Sequence, residues 1–165
     1  MKLKVIAALA GLATLVPGAE GAAEPWEFMT LDEETSPLYM AAQLDPTTGL
    51  MLVVDCFYDL YEFSIAVTHE EDYEATTSYA PSVPARWVVD GELVNAPAFA
   101  FENRGQLAVS AYALDDDTRF QTLYDAIRGA RESVTVSYFD TVAVFDATGV
   151  AEAIDAVEKA CDAEM

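Results

Sequence analysis

Basic residues are scarce in this chain. Its 165 residues include 8 lysines and arginines against 29 aspartates and glutamates, so the formal net charge is −21. Because phosphate binding requires lysine and arginine to release counterions, this composition argues against nucleic-acid binding and against binding to anionic membrane surfaces. The acidic field favours a cationic partner, and the alternative is an acidic coat that only keeps the protein in solution.

Histidine and closely spaced cysteines, the usual ligands of structural metals, are almost absent. The one histidine is His69, and no Cys-x-x-Cys occurs. The next three residues are all acidic: Glu70, Glu71 and Asp72. Together with His69, these acids could bind a metal ion or act as a general acid or base. The alternative is a turn exposed to solvent. Asp115–Asp117 lacks the alternating acids of an EF-hand loop, so helix capping explains it without calcium. We predict no metal site and no cofactor.

The sequence has one long apolar run, from Val5 to Val16. This run follows Lys2 and Lys4. At about twelve residues it is shorter than the roughly twenty that span a bilayer, and it is typical of a secretory signal peptide. We predict a signal peptide at residues 1–21, with cleavage between 21 and 23. The protein is then expected to be periplasmic or secreted in a bacterium, without membrane insertion after cleavage.

The remaining residues, 22–165, are predicted to form a single β-rich domain. Turn residues at Asp45–Gly49 and at Asp90-Gly91 separate apolar segments and predict hairpins. Glu62–Thr68 alternates like a half-buried strand. Because consecutive strands joined by turns pair antiparallel, the predicted fold class is α+β and mainly antiparallel, as a sandwich or curved sheet. Two helices are expected in the C-terminal third.

Those two helices are indicated by an apolar period of 3.6 residues. The first, with Asp117 or Thr118 as its N-cap, carries one stripe: Phe120, Leu123, Tyr124 and Ile127. The second is expected to begin near Thr148 and carries another: Val150, Ile154, Val157 and Cys161. Cys161 is therefore expected to face the core.

The two cysteines, Cys56 and Cys161, are predicted to form a disulfide, because the export signal directs both thiols to an oxidising compartment. In the chain-entropy model, closing a loop of about 100 residues is worth roughly 4 to 5 kcal/mol. The rival interpretation is a nucleophilic or metal-binding cysteine. It requires a neighbouring base or further ligands, and neither local sequence resembles a reactive-site signature.

Tyrosines cluster around the longest segment without periodicity, residues 69–84. They are Tyr58, Tyr61, Tyr73 and Tyr79, and they surround the acids Glu70, Glu71 and Asp72. Tyrosine beside acids is typical of a protein-binding surface that faces lysine or arginine. These seven residues are the predicted partner-binding site. The alternative is that the rings pack at sheet edges with their hydroxyls in water.

A set of spaced features resembles small exported proteobacterial proteins. They are Trp26, Cys56 after an apolar strand, the Val89–Gly91 hairpin, and the closing stretch Val144–Cys161 with Gly149 and Ala153. The chain resembles the periplasmic accessory proteins associated with type VI secretion and, more distantly, the invasion-associated locus B proteins. This resemblance implies an envelope-located β-rich domain and supplies no catalytic residue.

No motif for catalysis is present: the sequence has no GxSxG, HExxH, GxxxxGK[ST] or GxGxxG in a strand-to-helix setting. We therefore predict no catalytic residue and expect a non-enzymatic exported binding or accessory protein of the cell envelope, whose partner is a protein. The first alternative is an acidic inhibitor of a cationic enzyme such as lysozyme. The second is a hydrolase of unknown substrate that uses acidic side chains or His69.

Overall fold

The three-dimensional structure is a computed structural model. It describes residues 24–31, 37–57, 62–68, 84–102, 106–111 and 118–162. The predicted signal peptide, residues 1–21, lies outside these ranges, so its assignment stays a prediction.

Ten strands and two helices occur in the described ranges. The strands are β1 (Glu27–Leu31), β2 (Leu38–Leu44), β3 (Met51–Phe57), β4 (Glu62–Thr68), β5 (Arg86–Val89), β6 (Glu92–Val94), β7 (Ala100–Glu102), β8 (Gln106–Ala111), β9 (Ser133–Tyr138) and β10 (Thr141–Asp146). The helices are α1 (Thr118–Arg128) and α2 (Val150–Asp162). Both helices lie in the C-terminal third, as predicted.

The strands form two antiparallel sheets. A six-stranded sheet has the order β1-β2-β3-β4-β8-β7, and a four-stranded sheet has the order β10-β9-β5-β6. The chain builds β1 to β4 as a meander, crosses to the second sheet for β5 and β6, and returns for β7 and β8. After α1 it completes the second sheet with β9 and β10. The predicted class, α+β and mainly antiparallel, is confirmed.

The Asp90-Gly91 hairpin forms as its sequence predicts. Asp90 has φ 50° and Gly91 has φ 83°, the positive values that a two-residue hairpin turn requires. The carboxylate of Asp90 accepts hydrogen bonds from three successive backbone N–H groups, those of Arg131, Glu132 and Ser133. These bonds hold the pKa of Asp90 below its usual range. Asp90 thereby fixes the start of β9 against β5.

One core cluster joins the inner faces of both sheets. Leu52 and Val54 from the six-stranded sheet belong to it, and so do Trp87 and Val136 from the four-stranded sheet. Strand β4 differs from the half-buried prediction because its second face is buried too. There Ser64 donates a hydrogen bond to the buried Asp55 at 2.6 Å.

The two helices complete this core. The predicted stripe of α1 is buried: Phe120, Leu123, Tyr124 and Ile127. The predicted stripe of α2 is buried as well: Val150, Ile154, Val157 and Cys161. Helix α2 begins at Val150 rather than near Thr148, because Gly149 has φ 80°, which a right-handed helix does not allow.

The predicted disulfide between Cys56 and Cys161 is present. It joins β3, at the centre of the six-stranded sheet, to the last turn of α2, across a sequence separation of 105. Both residues are buried. The bond therefore holds the final helix against the sheet laid down near the start of the described chain.

Candidate interaction surface

The predicted partner-binding residues lie outside the described ranges. This holds for Tyr58, Tyr61, Tyr73, Tyr79, Glu70, Glu71 and Asp72. It also holds for His69 and for Asp115–Asp117. These assignments stay predictions, and the candidate surface consists of described residues alone.

A polar cluster joins α1 to α2. The hydroxyl of Tyr124 donates to Glu158 at 2.9 Å, and Nε of Arg128 donates to Asp155 at 2.8 Å. Burial raises the pKa of Tyr124 well above its usual range, and the hydrogen bond to Glu158 adds to this rise. The hydrogen bond to Asp155 raises the pKa of Arg128. Because the polar groups of this cluster are hydrogen-bonded to one another, the cluster stabilises the packing of α1 against α2.

A second polar centre is the turn between β2 and β3, where the carboxylate of Asp45 is buried. It accepts hydrogen bonds from the N–H of Thr47 at 2.8 Å, the hydroxyl of Thr48 at 2.9 Å and the N–H of Val144 at 3.1 Å. Burial raises the pKa of Asp45, but these hydrogen bonds outweigh that effect and the net pKa is lowered. All contacts of this carboxylate are structural, so we assign it to the fold.

The described part of the chain contains neither a group of metal ligands nor a membrane-spanning helix. Across its six ranges, no group of three His, Cys, Asp or Glu side chains is placed to hold a metal ion. None of the helices described there combines the length and apolar character needed to cross a bilayer.

The outer face of the four-stranded sheet carries a row of mainly apolar side chains. The register places Val144 of β10 opposite Thr135, Thr135 opposite Val88, and Val88 opposite Leu93 of β6. We call these four residues the outer row. They share one face because each alternates with side chains that enter the core, such as Ala143 and Phe145 beside Val144.

Much of this face is open to solvent. Leu93 is 68% exposed, Val142 is 55% exposed and Val144 is 52% exposed. With strands about 4.8 Å apart, three gaps make the outer row about 14 Å wide. Phe139, at the tip of the β9–β10 hairpin, is 73% exposed and has φ 48°. This positive φ lies at the first position of the two-residue turn between β9 and β10, as hairpin turns require, and it leaves the ring exposed at the hairpin tip.

The charges around the outer row are uneven. On the side toward the Asp90-Gly91 turn lie two carboxylates that already accept hydrogen bonds from the backbone. Asp90 accepts from three N–H groups, and Asp146 accepts from the N–H of Thr148 at 2.7 Å. On the other side the next row contains Val142, Ser137 and Arg86. Arg86 is exposed, and its guanidinium makes no ion pair or side-chain hydrogen bond among the described residues.

This surface was not predicted from the sequence, although strand β10 contains one signal for it. Residues 142–145 read Val-Ala-Val-Phe, so both faces of β10 are apolar. A strand at the edge of a sheet with one face in water normally alternates with polar residues. The missing polar positions were the signal that the outer face is not ordinary solvent-facing surface.

Three comparisons with known proteins find no match for this chain: no family model, no curated protein and no solved structure matches it. The resemblance to exported envelope proteins stays a prediction.

Proposed function

We propose that this chain is a non-enzymatic exported binding or accessory protein of the bacterial cell envelope, and that it docks another protein through the outer row. The observation that carries the proposal is the exposed apolar face at Leu93, Val142 and Val144. Apolar side chains grouped on one face of a monomer mark interaction sites more often than isolated ones do. The export step of this proposal rests on the signal peptide predicted at residues 1–21.

The hairpin tip strengthens the proposal. Phe139 holds a backbone conformation that L-residues other than asparagine and aspartate rarely adopt, and its ring is exposed. Its neighbour Tyr138 is buried in the core, with a ring-centroid distance of 6.3 Å to Phe139. An exposed aromatic ring at a hairpin tip is the kind of side chain that anchors a partner at protein interfaces.

Peptide selection tests the proposal. The wild-type protein, a Leu93→Ser/Val144→Ser variant and a Glu152→Gln/Lys159→Gln control on the exposed side of α2 are each used to select from a phage-displayed library of random peptides. We expect the wild type and the control to enrich the same aliphatic peptides and the outer-row variant to lose them. Equal enrichment by the outer-row variant would show that the proposed face is wrong.

A second candidate function is an acidic inhibitor of a cationic enzyme such as lysozyme. The formal charge of −21 favours it, and exposed acids on α2, including Glu152, Asp155 and Asp162, contribute to that charge. Attraction between exposed charges is screened by salt. Inhibition of lysozyme at low salt that disappears at high salt, and that survives Leu93→Ser/Val144→Ser, would favour this function. No inhibition at low salt would eliminate it.

A further inference from the structure

An open pocket of about 370 Å³ lies at the β5–β6 edge of the four-stranded sheet. Its lining residues are Ala85, Arg86, Leu93, Val94, Asn95 and Ala96. Leu93 belongs to both the pocket and the outer row, so the pocket is continuous with the proposed docking face. The pocket therefore extends that face toward the guanidinium of Arg86.

The guanidinium of Arg86 is the charged group at this pocket. The contrast with Arg128 is direct, since Arg128 pairs with both Asp155 and Glu158 whereas Arg86 has no ion-pair partner among the described residues. The chain has only 8 basic residues against 29 acidic ones, so few cations are available to bind an anionic group. A guanidinium presents several N–H donors in a planar fork that matches a carboxylate.

The geometry places Arg86 within reach of anything seated on the outer row. Arg86 and Val88 are two residues apart on β5, so their side chains leave the same face about 6.6 Å apart along the strand. Val88 lies opposite Leu93. A segment that packs its apolar side chains on Val88 and Leu93 therefore positions its neighbouring side chain near Arg86.

We propose that this pocket binds the carboxylate side chain of an otherwise aliphatic segment of the partner protein. Arg86 donates to the carboxylate, Leu93 contacts the aliphatic part, and the Asn95 amide borders the same pocket. The inference rests on the proposed function and adds the chemistry of the partner. At this surface the preferred partner group is anionic, which is opposite to the preference that the net charge predicts.

The size of the face favours a segment over a second copy of this chain. The four strands have three to six residues. At about 3.3 Å per residue and across a row about 14 Å wide, the face is at most about 280 Å². A standard stable interface buries about 800 Å² on each partner. Two chains of formal charge −21 would also repel each other.

Matched peptides test the carboxylate. The probes are acetyl-Ser-Val-Leu-Glu-Val-Ser-amide and its twin with Gln in place of Glu, titrated into ¹⁵N-labelled protein purified from a bacterial periplasm. Binding is followed by amide and guanidinium shifts in two-dimensional NMR spectra. Since an exposed charge pair contributes up to about 1 kcal/mol, we expect the Glu peptide to bind about three-fold to five-fold tighter. The shifts should centre on Arg86, Val88 and Leu93.

Variants assign this preference to Arg86. Arg86→Gln should make the two peptides bind equally, with the affinity for the Gln peptide unchanged. Lys159→Gln, which removes an exposed cation on α2, should keep the preference for Glu. Thermal unfolding of each variant checks that the fold is retained.

Three results would overturn the inference in distinguishable ways. Equal affinity of wild type for both peptides, with shifts on the outer row, would refute the carboxylate pocket and leave the docking face intact. No shifts with either peptide would refute both. A stable dimer in sedimentation that dissociates with Leu93→Ser/Val144→Ser would show that a second copy covers the face.

Discussion

The buried carboxylate of Asp45 accepts a hydrogen bond from the backbone N–H of Val144, with an O to N distance of 3.1 Å. Asp45 belongs to the β2–β3 turn of the six-stranded sheet, and Val144 belongs to the edge strand of the four-stranded sheet. On the same strand, the indole N–H of Trp26 donates to the carbonyl of Asp146 at 2.8 Å. These contacts occupy edge groups that would otherwise be free to pair with another strand, and they join the two sheets.

Loss of the Asp45 carboxylate should weaken that junction. Asp45→Ala removes part-buried hydrogen bonds from Thr47, Thr48 and Val144 to a charged acceptor, and a bond of this kind contributes about 1.5 to 3 kcal/mol. We expect the free energy of unfolding to fall by about 2 kcal/mol in urea denaturation. Asp140→Ala, at an exposed turn position, is the control and should change it by less than about 0.5 kcal/mol. Equal effects of the two substitutions would contradict the role of Asp45.

The same carboxylate predicts a pH dependence. The pKa of folded Asp45 lies below its ordinary value of 3.8, so its ionised form is favoured by folding. Its contribution to stability is therefore full above about pH 4 and is lost as the pH falls through the folded pKa. The difference in free energy of unfolding between wild type and Asp45→Asn should shrink on acidification below about pH 4. A difference that stays constant down to pH 3 would contradict this assignment.

The disulfide should dominate the stability of the fold. Removing it with Cys56→Ala/Cys161→Ala opens a loop with a sequence separation of 105, which corresponds to about 4 to 5 kcal/mol in the chain-entropy model. Equilibrium urea unfolding measures this loss. Dithiothreitol present throughout unfolding should lower the wild-type midpoint and leave that of the double variant unchanged. A wild-type midpoint that dithiothreitol does not change would contradict the prediction.

The α1–α2 contact should depend on the Tyr124 hydroxyl. Tyr124→Phe retains the ring contacts with Phe63 and Phe120 but removes the hydrogen bond to Glu158, which should cost about 1 to 2 kcal/mol at pH 7. Burial raises the pKa of Tyr124 above 10.0. The unfolded chain then ionises first, so the stability from this residue is present below about pH 10 and is lost as the pH rises further.

Urea unfolding of wild type and Tyr124→Phe at neutral pH and above pH 10 measures both effects. The difference in free energy of unfolding between the two proteins should fall in the alkaline samples. Exposed Asp125→Asn, on the same helix, serves as the control and should show no such change. A wild-type advantage that grows above pH 10 would contradict the assigned direction of the pKa shift.

Phe139 should show a trade between stability and binding. Asparagine tolerates the positive φ of this position better than phenylalanine does, so Phe139→Asn should raise the free energy of unfolding by about 0.5 to 1 kcal/mol. The same change removes an exposed ring and should weaken binding of the peptides selected on the outer row. Phe139→Leu, which keeps an apolar side chain and the backbone strain, is the matched control. Lower stability of Phe139→Asn would mean that the ring contributes more than the strain costs.

Much of the fold could be predicted because its signals are local. The Asp90-Gly91 turn requires positive φ, which few residues accept, and the stripes of α1 and α2 follow directly from a period of 3.6 residues. The start of α2 was misplaced by two residues because the positive φ of Gly149 arises where the chain approaches the backbone of Trp26. That approach joins residues more than 120 positions apart, and local periodicity carries no information about it.

The sequence by itself determined the antiparallel class, the buried stripes of both helices and the pairing of Cys56 with Cys161. These follow from backbone stereochemistry, side-chain periodicity and the number of thiols, each of which can be read within one segment or by counting. Tertiary structure alone decided that Val144, Thr135, Val88 and Leu93 form one row, and that Arg86 lies beside it without a carboxylate partner in the described residues. Strand order and register set those neighbours, because hydrogen bonds between strands join residues that are distant in the chain.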